Sequence, residues 1–395
     1  MLAINDDAVW LKPTASPEAS LRFDSGPHLA EACDISRFWL WISCMHLPRR
    51  YLLISLSVLL VIGLLAVWLR STTPQIPEAI KRGYSEALEK ARNGQPGAAR
   101  MLYQQLGRPD LSPKRRVWLH AELPNYPSPQ ALKLAAADLH SESPDVRRAA
   151  IGSIVGLVPT GQRSLLLGPL LDDDDQSVRF AAVNALLGSS PDDLGLYFGA
   201  MQLAIDTWEQ VLEDGPQTAE SHYQLARLHL HNAELKKAQQ ALEHTLRLQP
   251  DNLPALVMQI EVLDKQGQGE AARHLLARQL QTQPDSAYLQ HALGLWLLQH
   301  GQNEYAVLGL AKAVELEPNN RTYRYDLATT LHAEQELEAA QKQLQEIVQR
   351  YPADRKARVL LINYWKETGQ LQNVQILLAQ LEQLNPDDPA LQQGL

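Results

Sequence analysis

LEPNN, residues 316–320, lies between two stretches of helical period and has four near copies: LQPDN (248–252), TQPDS (282–286), RYPAD (350–354) and LNPDD (384–388). Their prolines, Pro250, Pro284, Pro318, Pro352 and Pro386, are spaced 34 residues apart. Proline lacks the N–H that a helix interior needs and its ring clashes with the preceding turn, so each copy stops a helix. The Asp, Asn or Ser that follows carries a side-chain oxygen able to cap the next one. A stop and a start at a fixed interval describe a C-terminal half built from one helical unit, repeated.

With each proline at position 32, the units run 219–252, 253–286, 287–320, 321–354 and 355–388. Position 20 is then Ala238, Ala272, Ala306, Ala340 and Val374, a small residue where two helices pack closest. Position 24 is Leu242, Leu276, Leu310, Leu344 and Leu378, which fills the gap against the next pair. Position 7 is Leu in four units and Gln259 in the second, and position 15 is Gly267, Gly301 and Gly369 in three. A glycine there lets the first helix end in the left-handed conformation. This pattern resembles the tetratricopeptide repeat. Pro216 lies one interval before Pro250, so FGAMQLAIDTWEQVLEDG (198–215), with Ala204 and Trp208 in register, reads as a half-repeat.

Residues 78–190 carry a different echo. SPDVRRAAIGSIVGL (143–157) aligns with DQSVRFAAVNALLG (175–188), each with Val-Arg at a helix start and paired alanines behind it. The pattern resembles HEAT-type repeats, with a third copy expected near Ser128. The acidic run Asp172–Asp175 lacks the glycine and ligand spacing of a calcium loop and reads as an inter-helix turn that caps the next helix. The expected fold class is all-α: one N-terminal transmembrane helix followed by an α-solenoid, HEAT-like and then five tetratricopeptide units. Scarce aromatics, 6% of the chain, agree with helices over strands.

The anchor is expected at YLLISLSVLLVIGLLAVWL (51–69), which carries no charge and at about 1.5 Å per residue reaches the thickness of a bilayer core. Its bulky end, Val67-Trp68-Leu69-Arg70, is a poor cleavage site, and Tyr51 and Trp68 suit the two interfaces. Arg49 and Arg50, in the basic flank 45–50, favour a cytoplasmic N-terminus, a periplasmic C-terminal domain and a single-pass location in a bacterial inner membrane. STTPQIP (71–77) reads as a linker. Residues 1–44 show no period and are expected to be unstructured or untranslated, with the start at Met45; the alternative is a cytoplasmic tail whose FWLWI (38–42) lies on the membrane.

Chemistry is sparse. Cys33 and Cys44 are the two cysteines and both precede the folded region, so no disulfide framework or cysteine metal site is expected there. A formal charge of −9 gives nucleic-acid binding no support. No H-E-x-x-H, P-loop, G-x-S-x-G or dinucleotide fingerprint occurs, so no catalytic, cofactor or metal residue is expected. The histidines of SHYQLARLHLH (221–231) read as packing or solvated groups, because His229 and His231 point in different directions on a helix. The 291–331 stretch, with the HEAT-like part before it, resembles the C-terminal half of bacterial multihaem-cytochrome-linked tetratricopeptide proteins. Their haem-binding part has no counterpart here, so the resemblance implies a scaffold in an envelope setting and no redox chemistry.

The tetratricopeptide resemblance implies stacked helix pairs with a concave face lined by the first helix of each unit, binding proteins or peptides. The side chains expected on it are Tyr223, Arg227, Tyr288, His291, Tyr325, Thr329, Lys356 and Asn363. Tyr223 and Arg227 stand where the chaperone-tail-binding members carry a carboxylate clamp, so that activity is not expected. The function expected is a membrane-anchored protein-interaction scaffold aiding assembly of an envelope or cytochrome-related complex. The alternatives are a cytoplasm-facing scaffold, or the recognition subunit of a transferase or protease whose catalytic part is on another chain.

Overall fold

The computed structural model describes residues 78–392. The chain divides into two units, Met1–Glu78 and Ala79–Leu395. The first lies almost wholly outside the described residues, and with it the 1–44 segment, the basic flank 45–50, the apolar run 51–69 and the linker 71–77. Among the described residues every element is helical, and no helix is long and apolar enough to cross a membrane.

The N-terminal part of the second unit holds α1 (Glu78–Arg92), α2 (Ala98–Leu106), α3 (Pro113–Glu122), α4 (Pro129–Asp138), α5 (Pro144–Leu157), α6 (Ser164–Leu167), α7 (Gln176–Leu186) and α8 (Pro191–Leu194). Four of these begin with proline, where its missing N–H costs no helical bond. Ser128 caps α4 by accepting from the Ala131 N–H at 2.9 Å. The echoing arginines do one job twice. Arg147 Nη1 donates to the Ser141 carbonyl and Arg179 Nη1 to the Asp173 carbonyl, each six residues back in the turn before its own helix. Asp173 also receives Arg147 Nη2 at 2.7 Å, and Asp175 caps α7 through the Ser177 and Val178 N–H groups. The acidic run is therefore held by its neighbours. Between α5 and α7 stand α6 and two 3-10 turns, where a regular HEAT unit would have one continuous second helix.

Helix α9 (Phe198–Asp214) leads into five pairs: α10 (Ala219–His231) with α11 (Leu235–Leu248), α12 (Leu253–Lys265) with α13 (Gly269–Thr282), α14 (Ala287–Gln299) with α15 (Asn303–Leu316), α16 (Arg321–Ala333) with α17 (Leu337–Arg350), and α18 (Arg355–Glu367) with α19 (Leu371–Leu384). A short α20 (Pro389–Gln392) follows. The residue before each proline leaves the helical region, as Glu317 does with φ −125° and ψ 75°, because proline's ring crowds an α-conformation there. Two residues past the proline, Asn252, Ser286, Asn320 and Asp354 each accept from the N–H three residues on. Pro318 thus ends α15 and Asn320 starts α16. The position-20 alanines have no solvent exposure, and Leu242, Leu310 and Leu344 are equally closed.

The two ends of this unit meet. The Gly97 N–H donates to the Gln383 carbonyl at 2.8 Å, and the Asn385 side-chain amide donates to the Pro127 carbonyl at 2.7 Å. Tyr103 Oη lies 3.5 Å from Asn385 Oδ1 and donates to the Tyr126 carbonyl. Gly94, with φ +56°, presses on the turn after α17 so closely that a Cβ would fall 2.5 Å from the Pro352 carbonyl carbon. Leu384, from the last repeat, is buried in the N-terminal core beside residues such as Leu102, Leu119 and Leu123. The last helix pair is therefore covered by the first helices of the same unit.

Candidate functional site

The eight expected groove residues all lie on first helices of their pairs, and seven of them are half-buried. Lys356 alone is exposed, and its Nζ sits 4.0 Å over the Tyr325 ring. Burial raises the Tyr325 hydroxyl above its ordinary pKa, with the Asp326 and Asp354 charges adding to the shift. His291 Nε2 pairs with Asp326 at 2.7 Å and its ring stacks on Tyr323 at 4.5 Å. Thr329 donates to the Asp326 carbonyl of its own helix. Two separate contacts thus bridge the first helices: His291–Asp326 joins α14 to α16, and Lys356–Tyr325 joins α16 to α18. Tyr288 and Asn363 lie on α14 and α18, the same helices as His291 and Lys356.

Tyr223 and Arg227 stand apart on α10. Arg227 Nη1 bonds Asn184 at 2.9 Å and Gln224 at 3.0 Å, which ties α10 to α7. The second unit places Val257 and Glu261 at the corresponding positions, so the aromatic and basic groups are not continuous along the array.

Sequence reasoning missed a second His–Tyr–acid contact between first helices, which extends the surface of α14, α16 and α18 (hereafter the belt). His332 stacks on Tyr364 at 3.8 Å and its Nε2 pairs with Glu367 at 2.5 Å. His291 stacks 32 residues ahead and pairs 35 residues ahead, and His332 does the same. Burial pushes the Tyr323 and Tyr364 hydroxyls up to about 12, so both rings stay neutral at physiological pH. A search for groups one repeat apart, rather than one turn apart, would have found this pair.

A Ser–His–Asp array also occurs, on α5, α3 and α4. Ser153 Oγ lies 2.8 Å from His120 Nδ1, and His120 Nε2 lies 2.8 Å from Asp138 Oδ2. Its surroundings make it structural. Ser153 and His120 are each 1% exposed, and the Ser153 hydroxyl donates to the His120 carbonyl at 2.9 Å. Arg116 grips both Asp138 oxygens at 2.9 Å. Burial alone would raise the Asp138 pKa, but the bonds from His120 and Arg116 outweigh it and hold the carboxyl below its ordinary value. A nucleophile needs a path for its substrate, and Ser153 is enclosed.

An open groove of about 410 Å³ lies along α14 and α15, lined by Leu293, Leu297, Tyr305, Leu308, Gln290 and Gln302. Tyr305 and Leu308 are well exposed, and none of the eight groove residues lines it.

No curated protein sequence matches the chain. Among solved structures, TTC0263 of Thermus thermophilus, a thermophilic TPR protein, is 21% identical, with 52% of this chain and 98% of that one covered at a TM-score of 0.36. PilF of Pseudomonas aeruginosa is 23% identical over 50% of this chain and 89% of its own, at 0.35. YrrB, described as a TPR protein with an unusual peptide-binding site, is 19% identical over 48% and 98%, at 0.34. Residues 234–295 match the tetratricopeptide repeat family model, and that stretch carries the repeat.

Proposed function

We propose that this chain is a non-covalent protein-binding scaffold whose working surface is the belt on α14, α16 and α18. The observation that carries this reading is the two contacts His291–Asp326 and Lys356–Tyr325, which place aromatic and charged groups on consecutive first helices. The residues that repeat hold the frame, while those on the belt differ from unit to unit. A bound peptide would gain from apolar ring faces and from a single exposed ammonium group.

In this proposal residues 51–69 anchor the chain in a bacterial inner membrane and 71–77 link the anchor to the solenoid. Residues 78–190 act as a HEAT-like section, 198–215 as the half-repeat and 219–388 as five tetratricopeptide units on the periplasmic side. Confinement at a membrane raises the effective concentration of anything the belt holds, which suits assembly of an envelope or cytochrome-related complex.

Two experiments test it. A photo-crosslinker at Tyr325 or Lys356 of the full chain in membranes should trap discrete protein partners, whereas one at the exposed Lys342 on α17 should not. Identical products from both positions, or none from the belt, would rule out the surface. For the anchor, deletion of 51–69 should move the chain from the membrane pellet to the supernatant, and a C-terminal reporter should be active only outside the cytoplasm. A reporter active only in the cytoplasm would overturn the orientation.

A further inference from the structure

Glu209 on α9, His229 near the end of α10 and Glu234 in the turn before α11 converge at the start of the array, with one ligand atom from each within 4.8 Å of the others. The His229 side chain is only 8% exposed. Its Nδ1 lies 2.9 Å from Glu234 Oε2 and 3.4 Å from Glu209 Oε1. One ring nitrogen has one N–H to give, and the geometry directs it to Glu234. Glu209 Oε1 is consequently buried at ion-pair distance with no hydrogen bond. A buried carboxylate oxygen without a donor is costly, and a cation at the centre of the three groups would satisfy it.

We propose that Glu209, His229 and Glu234 bind a divalent transition cation of the zinc class, which staples α9 to the first tetratricopeptide pair. Tetrahedral coordination at about 2.0–2.1 Å sets ligand atoms about 3.3 Å apart. The His229–Glu209 separation of 3.4 Å already matches, and the His229–Glu234 pair needs to open by a few tenths of an ångström. Lys237 holds Glu234 through Oε1 at 2.8 Å, which orients the carboxylate and leaves Oε2 facing inward. An imidazole nitrogen among the ligands favours zinc, nickel or copper over magnesium and calcium, which take oxygen. Three protein ligands leave a fourth position for water. A His–Glu contact within one helix, His274 with Glu270 at 3.9 Å, is well exposed, and among the described residues no third ligand joins it.

The test is titration of the chelator-treated full-length chain with Zn2+ by calorimetry, with Co2+ spectra as a second readout and Mg2+ as the control cation. One Zn2+ per chain is expected, with tetrahedral Co2+ bands and no response to Mg2+. Glu209→Gln should weaken binding by about 10–100-fold with the helical circular dichroism unchanged, and His229→Gln should do the same. Glu270→Gln should leave binding as it was. Zinc should raise the thermal midpoint of the unsubstituted chain and not that of Glu209→Gln. No binding up to about 100 μM Zn2+, or binding that survives both Glu209→Gln and His229→Gln, would overturn the site and leave a hydrogen-bonded His–Glu cluster that holds no metal.

Discussion

Ala233 and Gln335 take the backbone role that Gly267, Gly301 and Gly369 fill in the other three units, with φ of 57° and 65°. A left-handed L-residue costs about 1–2 kcal/mol, partly offset because glycine gives up more entropy on folding. Gln335→Gly should therefore stabilise the chain by about 0.5–1 kcal/mol, and Gly301→Ala should destabilise it by about 1 kcal/mol, both read from denaturant midpoints. Asp138 is a sharper case. Its carboxyl holds Arg116 and His120 in the interior, so Asp138→Asn should cost about 3 kcal/mol. Because the folded pKa lies below the unfolded one, this stability is fully present above the unfolded carboxylate pKa of about 3.9 and fades as pH falls through the folded value. The gap between the two proteins should accordingly narrow in acid unfolding below about pH 4.

At the scale of elements, the last two units are each closed by one cation and one acid in register. Arg321 reaches Asp354 at 3.2 Å and Arg355 reaches Asp388 at 2.6 Å, each linking the first position of a unit to its last. Asp354 serves additionally as the cap of α18, and Asp388 is fully buried. Arg321 is about half exposed, so its loss should be nearly silent. Arg355→Ala leaves the enclosed Asp388 carboxylate without its guanidinium and should cost about 3–5 kcal/mol. Comparing the two variants by thermal unfolding separates burial from mere pairing. Much of this level was legible in the sequence, because caps, stops and the small residue at position 20 act within one unit or between adjacent ones. The His332–Tyr364–Glu367 member of the belt was not read, since its partners lie one repeat ahead and no single-helix pattern joins them.

At the scale of the whole unit, an open solenoid is held by nearest-neighbour contacts, and its ends fray first. Here the first helices cover the last pair. Gly94 tolerates neither a side chain against Pro352 nor, at φ +56°, a change from glycine, so Gly94→Ala should cost about 2–4 kcal/mol. Its signature is spatial: amide exchange should rise both in α1–α4 and in α18–α19. A rise confined to α1 and α2 would show that the ends do not support each other. Asn385→Ala, which strands the Pro127 carbonyl, should reproduce the same pattern more mildly.

The sequence alone determined where helices stop and start around each proline and which small residue sits at position 20. Those rest on interactions of short range: a proline that cannot accept helical neighbours, a polar side chain three residues from the N–H it caps, and a small residue facing its own partner helix. Tertiary structure decided what joins across distance. Asn385 meets Pro127 and Tyr103 across 258 and 282 residues, and Glu209 meets His229 from a separate helix. No spacing rule encodes such contacts, because they depend on the curvature accumulated over all the intervening helix pairs. LEPNN specifies where one unit ends; only the sum of its repeats brings the last helices back onto the first.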